Sequence, residues 1–403
     1  MRNLITLFKS GTLGLILIFI LTLSVANTAS AQTTPEKAAE LWNLRQTEIE
    51  QLYQEGNLEG ALNSAQEAVT LAETAFGSGA LRTISSLLLL AQIHTELDQL
   101  EEANQIYQVT LETSVASFGE AAVETLSVLD NYGEFLNAID PEMAEPVLQE
   151  ALRITTEDDP QRASRMKALG LNLQELGRTA DAEAMLSQAL NAYKKILGEN
   201  DPDTLSVMVS LAQLNLSQGK INAAQELFET ALPLMLEVLD ETNLLILESK
   251  ENLAEIYRQQ GKFSQAEKLF LESMQGAVTE YGEEDLLVVQ IKSHLAQLYE
   301  DTGKLKKALA LHQQVYEIDL VLLGEAHPNT AGDLNNMASV RRRLGDYQKG
   351  EKLFRKSLKV MIAALGEESP QAVSVMNNLA LFLENQGLYD EAEPLFKKAY
   401  TIS

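Results

Sequence analysis

Four histidines, His94, His294, His312 and His327, are the first residues to test for chemistry, because the chain contains no cysteine. Without thiols there are no disulfides, thiolate metal sites or cysteine nucleophiles. The histidines form no His-Glu-x-x-His and no other paired metal spacing, so neither a metal nor a cofactor is expected. His312 occupies a place that other stretches give to an aromatic, and His327 precedes a proline, so both read as structural. His294 stands where asparagine recurs elsewhere and is retained as a binding candidate. Gly219-Lys220, Gly261-Lys262 and Gly303-Lys304 lack both the upstream glycine and the following Ser or Thr of a phosphate loop. The 58 Asp and Glu residues single out no catalytic pair. Arg341-Arg342-Arg343 is too short for a nucleic-acid patch, and Trp42 reads as a core or capping contact. No enzyme is expected.

The polar residues that do form a pattern are spaced by 42. Stepping back from Asn377 and Asn378 gives Asn335 and Asn336, then Ser293 and His294, then Glu251 and Asn252. Such regularity belongs to the elements that carry these residues. In residues 369 to 399, Asn378, Leu379, Ala380 and Leu383 fall at helical spacing, Gly387 and Tyr389 make a turn, and Ala392, Leu395, Phe396 and Ala399 repeat the spacing. That is two amphipathic helices joined by a glycine turn. Neither can bury its apolar stripe alone, so the unit needs neighbours like itself.

The chain supplies them. Ala380 recurs as Ala338, Ala296, Ala254, Ala212, Gly170, Gly133 and Ala91, which are small enough for two helices to cross closely. Gly387, Gly345, Gly303, Gly261, Gly219 and Gly177 mark the turn, and Asp98 and Gly56 continue the series. Five residues after each turn comes alanine, replaced once by Gly350. Four further on stands Phe396, Phe354, Phe270, Phe228 or Tyr107, or His312 once. Separators such as Leu197-Gly198 and Leu365-Gly366 precede new helix starts, with Asp201, His327 and Ser369 as caps before Pro202, Pro328 and Pro370. Nine helix pairs are expected, over about 37–79, 80–121, 122–157, 160–200, 201–242, 243–284, 285–326, 327–368 and 369–403. The third, near 122–160, is irregular and about four residues short.

This pattern resembles the tetratricopeptide repeat, in the 42-residue form of kinesin light chains, over about residues 37 to 403. The heptad coiled coil of those chains is missing and a leader is present, so no kinesin subunit is expected. The resemblance implies an all-α, right-handed α-solenoid of about nine helix-turn-helix repeats, with the first helices lining a concave groove. It further implies that the asparagine positions hold a peptide ligand. The groove residues are Asn252, Arg258, His294, Gln297, Asn335, Asn336, Arg342, Asn377 and Asn378; a carboxamide both donates and accepts, which suits an extended backbone of any sequence. Helix axes about 8–10 Å apart give three pairs a groove of about 25–30 Å, room for about eight or nine extended residues.

Residues 1–31 read as a cleaved signal peptide, with 32–403 forming the array. Arg2 and Lys9 are basic, an apolar run of about 14 residues follows from Leu13 to Ala26, and Ala29-Ser30-Ala31 offers a small-x-small cleavage site. The run falls short of the roughly 20 residues of a spanning helix, so no membrane association is expected after cleavage. An exported protein, periplasmic or secreted, is the expectation. A net charge of −27 opposes nucleic-acid binding, although residues 303 to 362 carry 11 Lys+Arg against 6 Asp+Glu. The expected function is a non-catalytic, exported scaffold that binds a protein or peptide partner in its groove. The alternatives are an assembly subunit that forms a homo-oligomer through an uncapped C-terminal end, and a small-ligand binder or enzyme.

Overall fold

Eighteen helices, arranged in nine successive pairs without a strand, account for nearly all of residues 33–402, the part of the chain that the computed structural model describes. The leader read at 1–31 lies outside the described residues. The chain divides into two compact units, one ending at Gly198 and the other beginning at Glu199. The first unit holds α1 (Pro35–Gln54) and α2 (Leu58–Phe76), α3 (Leu81–Glu96) and α4 (Leu100–Phe118), α5 (Val123–Ile139) and α6 (Pro141–Ile154), and α7 (Arg162–Glu175) and α8 (Thr179–Ile196). The second holds α9 (Pro202–Ser217) and α10 (Ile221–Val238), α11 (Leu244–Gln259) and α12 (Phe263–Tyr281), α13 (Leu286–Asp301) and α14 (Leu305–Leu322), α15 (Pro328–Arg343) and α16 (Tyr347–Leu365), and α17 (Pro370–Glu384) and α18 (Tyr389–Ile402).

The starts are those that the caps demand. Asp201 accepts from the N–H of Asp203 at 2.9 Å, His327 Nδ1 from that of Asn329 at 3.2 Å, and Ser369 from that of Ala372 at 3.2 Å, each just before a proline at the first helical position. The turns are closed by a residue in the left-handed region. At Gly303, with φ +72°, the N–H bonds the Glu300 carbonyl at 3.1 Å, and the Lys304 N–H reaches back to Tyr299 at 2.7 Å, the paired bonds of a Schellman turn. Asp98 takes the same conformation at φ +59° with the same two bonds. Aspartate is among the few side chains that tolerate it.

Within each unit every helix packs on the next, and first helices also touch first helices: α3 on α5 and α5 on α7, then α9 on α11, α11 on α13 and α15 on α17. The alanines of the crossing series, Ala91, Ala212, Ala254, Ala296, Ala338 and Ala380, are fully buried, as are Phe228 and Phe270 of the second helices. Burying such a ring contributes about 2–3 kcal/mol. His312 is buried at the aromatic position, its Nε2 3.0 Å from Glu300. Trp42 donates to Ser86 at 2.9 Å, joining the first two pairs, and packs edge-on against Phe76 within the first.

The irregular third pair is short because one residue makes its turn and because α6 has 14 residues, where the other second helices of the first unit have 18 or 19. Asp140 is extended, and its carboxylate accepts from the N–H groups of Glu142 and Met143, so α6 starts at once and no glycine is needed. Its C-terminal end is held by two arginines from the next pair. Arg162 caps the carbonyls of Leu152 and Thr155, while buried Arg165 binds Thr155, Asp159 and, through two nitrogens at 2.8 Å each, Asp130.

Candidate ligand groove

The first helices of the second unit bring the 42-residue series into rows. One row is Glu251, Ser293, Asn335 and Asn377, and the next Asn252, His294, Asn336 and Asn378. All are half-buried except Glu251, which is buried. A turn further along come Glu255 and Gln297, then Arg258, Glu300, Arg342 and Glu384, a row of alternating charge.

Several of these side chains already have partners. Asn378 donates to Asn335 Oδ1 at 3.0 Å, joining α17 to α15, and Asn335 leans toward Asn336 at 3.5 Å. Asn252 bonds its own helix at the Glu248 carbonyl, 2.9 Å away. Each amide retains unused donor or acceptor capacity. Gln297 is exposed and Asn377 half-buried, and Arg342 is half-buried with no ion pair among the described residues. These last three make no side-chain hydrogen bond among the described residues.

The α11–α13 seam is more heavily charged. Glu251 accepts from Gln290 at 2.9 Å and from His294 Nδ1 at 2.7 Å. That bond raises the imidazole pKa against the opposing effect of burial. The ring lies 6.1 Å from that of Phe270. Burial alone would raise Glu255, but the hydrogen bonds from Arg258 and Gln259 outweigh it and leave its pKa below the usual range. Arg258 grips Glu255 through two bonds of 2.8 Å and also pairs with Asp301 across the seam. Glu248 is pushed up by its burial. Such a surface presents fixed charges of both signs beside free amides, which suits a polar extended ligand.

Sequence reasoning placed no site residue in the first unit, yet the first helices α5 and α7 there border a cavity of about 500 Å³. Asp130, Glu134 and Asn137 form one wall, Ser164 and Lys167 the other, with Leu148 and Leu171 between them. The shortened third pair hid it: the step there is 37 residues, as from Gly133 to Gly170, and with that correction Asp130 and Lys167 align with the Asn335 row. Among the described residues no group of three His, Asp or Glu side chains could hold a metal, and no helix is long and apolar enough to cross a membrane.

No curated protein sequence matches the chain. Among solved structures, the apo form of the quorum sensor NprR from B. thuringiensis superposes with a TM-score of 0.60 at 12% identity, covering 91% of this chain and 99% of that one. The apo form of RapI gives 0.51 at 12% identity, over 69% and 97%. BtubC from P. vanneervenii gives 0.47 at 24% identity, over 64% and 92%. The first two bear on the fold alone. One family model of the tetratricopeptide repeat matches residues 161–237, 245–320 and 321–403, and a second matches 83–121. Those segments span more than half of a chain built from nine helix pairs at a 42-residue period, and the chain belongs to the tetratricopeptide repeat family.

Proposed function

We propose that the chain is an exported, non-catalytic scaffold that captures an extended polar segment of a protein along the first helices of its second unit. The observation that carries this reading is the repetition of polar side chains at one register on consecutive first helices, among them Asn377, Gln297 and Arg342, which make no side-chain hydrogen bond among the described residues. Carboxamides at that register can pair with the backbone of an extended ligand, and Arg342 can answer an acidic group in it. The leader composition supports export, and sequencing of the mature N-terminus tests it: Gln32 is expected, and a mature chain beginning at Met1 would overturn cleavage.

The groove is tested by capturing the partner from the native compartment and measuring its affinity for the Asn335→Ala, Asn377→Ala double variant. Loss of two backbone-directed amides is expected to weaken binding about 10- to 100-fold, at about 0.5–1.5 kcal/mol for each net hydrogen bond. Unchanged affinity, in a variant whose circular dichroism and melting match those of the parent, would refute this groove.

A further inference from the structure

Asp319 on α14 and Asp333 on α15 face each other in the interior between the seventh and eighth pairs, 5% and 7% exposed. The repeat shows how far the two depart from their equivalents. One period back the same two positions hold Ala277 and Ile291, two periods back Met235 and Ser249, and one period on Met361 and Val375. All six are buried, and Met361 and Val375 belong to one apolar cluster. Two facing core positions have become carboxyls together.

Among the described residues no lysine or arginine answers them. Lys292 of α13 pairs with Glu283 at 2.5 Å, and Lys356 of α16 pairs with Glu325 at 2.7 Å. α17 contributes apolar Ala372, Val373 and Met376 to the adjoining cluster. His327, whose Nδ1 caps α15, is the one basic side chain that bears on Asp319. Thr330 donates its hydroxyl to the Gly324 carbonyl at 2.9 Å and reaches the backbone carbonyl of Asp319 at 3.4 Å, so it serves neither carboxyl. Asp333 Oδ2 is buried without a hydrogen-bond partner, and each carboxyl acts on the proton affinity of the other. A divalent cation would need about six or more oxygens, which two aspartates do not supply. Two ionised carboxylates are acceptors only, so neither can satisfy the other until one of them holds a proton.

We propose that Asp319 and Asp333 form a pH-responsive joint, closed while the pair shares a proton and opened between α14 and α15 when that proton is lost. Burial pushes Asp333 up to about 8, with the nearby Asp319 charge adding to the effect, and burial raises Asp319 as well. A carboxyl whose pKa is higher in the closed state than in the open chain, where it is about 3.9, stabilises the closed state fully below that lower value. The stabilisation is then lost as pH rises, by about tenfold in the opening equilibrium per pH unit for one proton, and levels off above the closed-state pKa. α15 also carries Asn335, Asn336 and Arg342, but the joint stands whether or not the groove binds a ligand.

Amide hydrogen exchange of the full chain between pH 5 and 9, corrected for intrinsic rates, tests the joint. Protection in α14 and α15 is expected to fall about tenfold per unit from pH 5 to about 8 and then level, while α9 and α10 show no such fall. The Asp319→Met, Asp333→Val variant copies the Met361 and Val375 pair and should abolish the dependence. Asp333→Asn changes less volume, keeps a donor for Asp319 without a titrating proton, and should abolish it too. A flat profile in the parent, or the parental slope retained in Asp333→Asn, would overturn the proposal.

Discussion

His294 shows how one side chain ties two helices and a pH range together. Its Nδ1 meets buried Glu251 at 2.7 Å, and that contact raises the imidazole pKa despite burial. A base whose folded pKa is raised stabilises the fold fully below its unfolded value of about 6.5, and that contribution is lost as pH rises through the folded value. His294→Gln should therefore lower stability by about 1 kcal/mol at pH 6, the scale of a part-exposed charged hydrogen bond, and by less at pH 9. Urea unfolding of parent and variant at both pH values measures the difference. An equal loss at the two would mean that the ring acts by shape alone. The sequence could point to His294 because it interrupts a row of asparagines. It could not show that Glu251 is buried or that Gln290 shares its carboxylate, because those contacts depend on the distance between α11 and α13. The same limit applies to Asn378 and Asn335, which appear in sequence as two free amides and in the fold as one bonded pair.

At the scale of the element, the period was legible because each small residue answers one packing demand. Gly350 is the informative exception. A Cβ there would lie 3.3 Å from the Phe382 ring and 3.4 Å from the Ala338 carbonyl. Phe382 itself stands where the other first helices of the second unit carry Leu214, Ile256, Leu298 and Val340. A larger side chain on α17 has been matched by the loss of a methyl on α16, a volume-conserving exchange that a scan for alanine records only as a mismatch. The Arg165 clamp was hidden for a related reason: Asp130 lies 35 residues away and the register depends on the length of α6. Two glycines in helices separate packing from conformational preference. Gly170→Ala would place Cβ 2.8 Å from Leu186 Cγ and 3.3 Å from its backbone nitrogen, and should cost about 1–3 kcal/mol. Gly332, inside α15, has nothing within 4 Å of the added carbon, so Gly332→Ala should stabilise by about 0.5–1 kcal/mol. Thermal melts of the two variants, moving in opposite directions from the parent, are the expected result. A loss at Gly332→Ala would show that this glycine serves something other than packing.

For the whole molecule the sequence announced an array but not its division. Leu197-Gly198 reads like every other separator, yet the two compact units part there, one pair after the irregular third. Charge distinguishes the units. Residues 33–198 hold 10 Lys+Arg against 27 Asp+Glu, and residues 199–403 hold 19 against 31. Some carboxylates in the first unit are answered locally, as Asp130 and Asp159 are by Arg165 and Glu145 by Arg178. The remainder outnumber the cations and repel one another at short range. Like charges on a surface are screened over about 10 Å at 0.1 M salt and about 30 Å at 0.01 M, so that repulsion must weaken as salt is added. Relief of about 1 kcal/mol in a unit of this size raises its melting temperature by about 2–4 °C. Melting followed at pH 7.5 from 10 to 300 mM sodium chloride should therefore move upward by at least that amount. Choline chloride should give the same rise, since the effect is ionic strength and not sodium binding. A flat or falling curve would show that the ion pairs, and not the surplus carboxylates, dominate the surface energetics, because screening weakens attraction and repulsion alike.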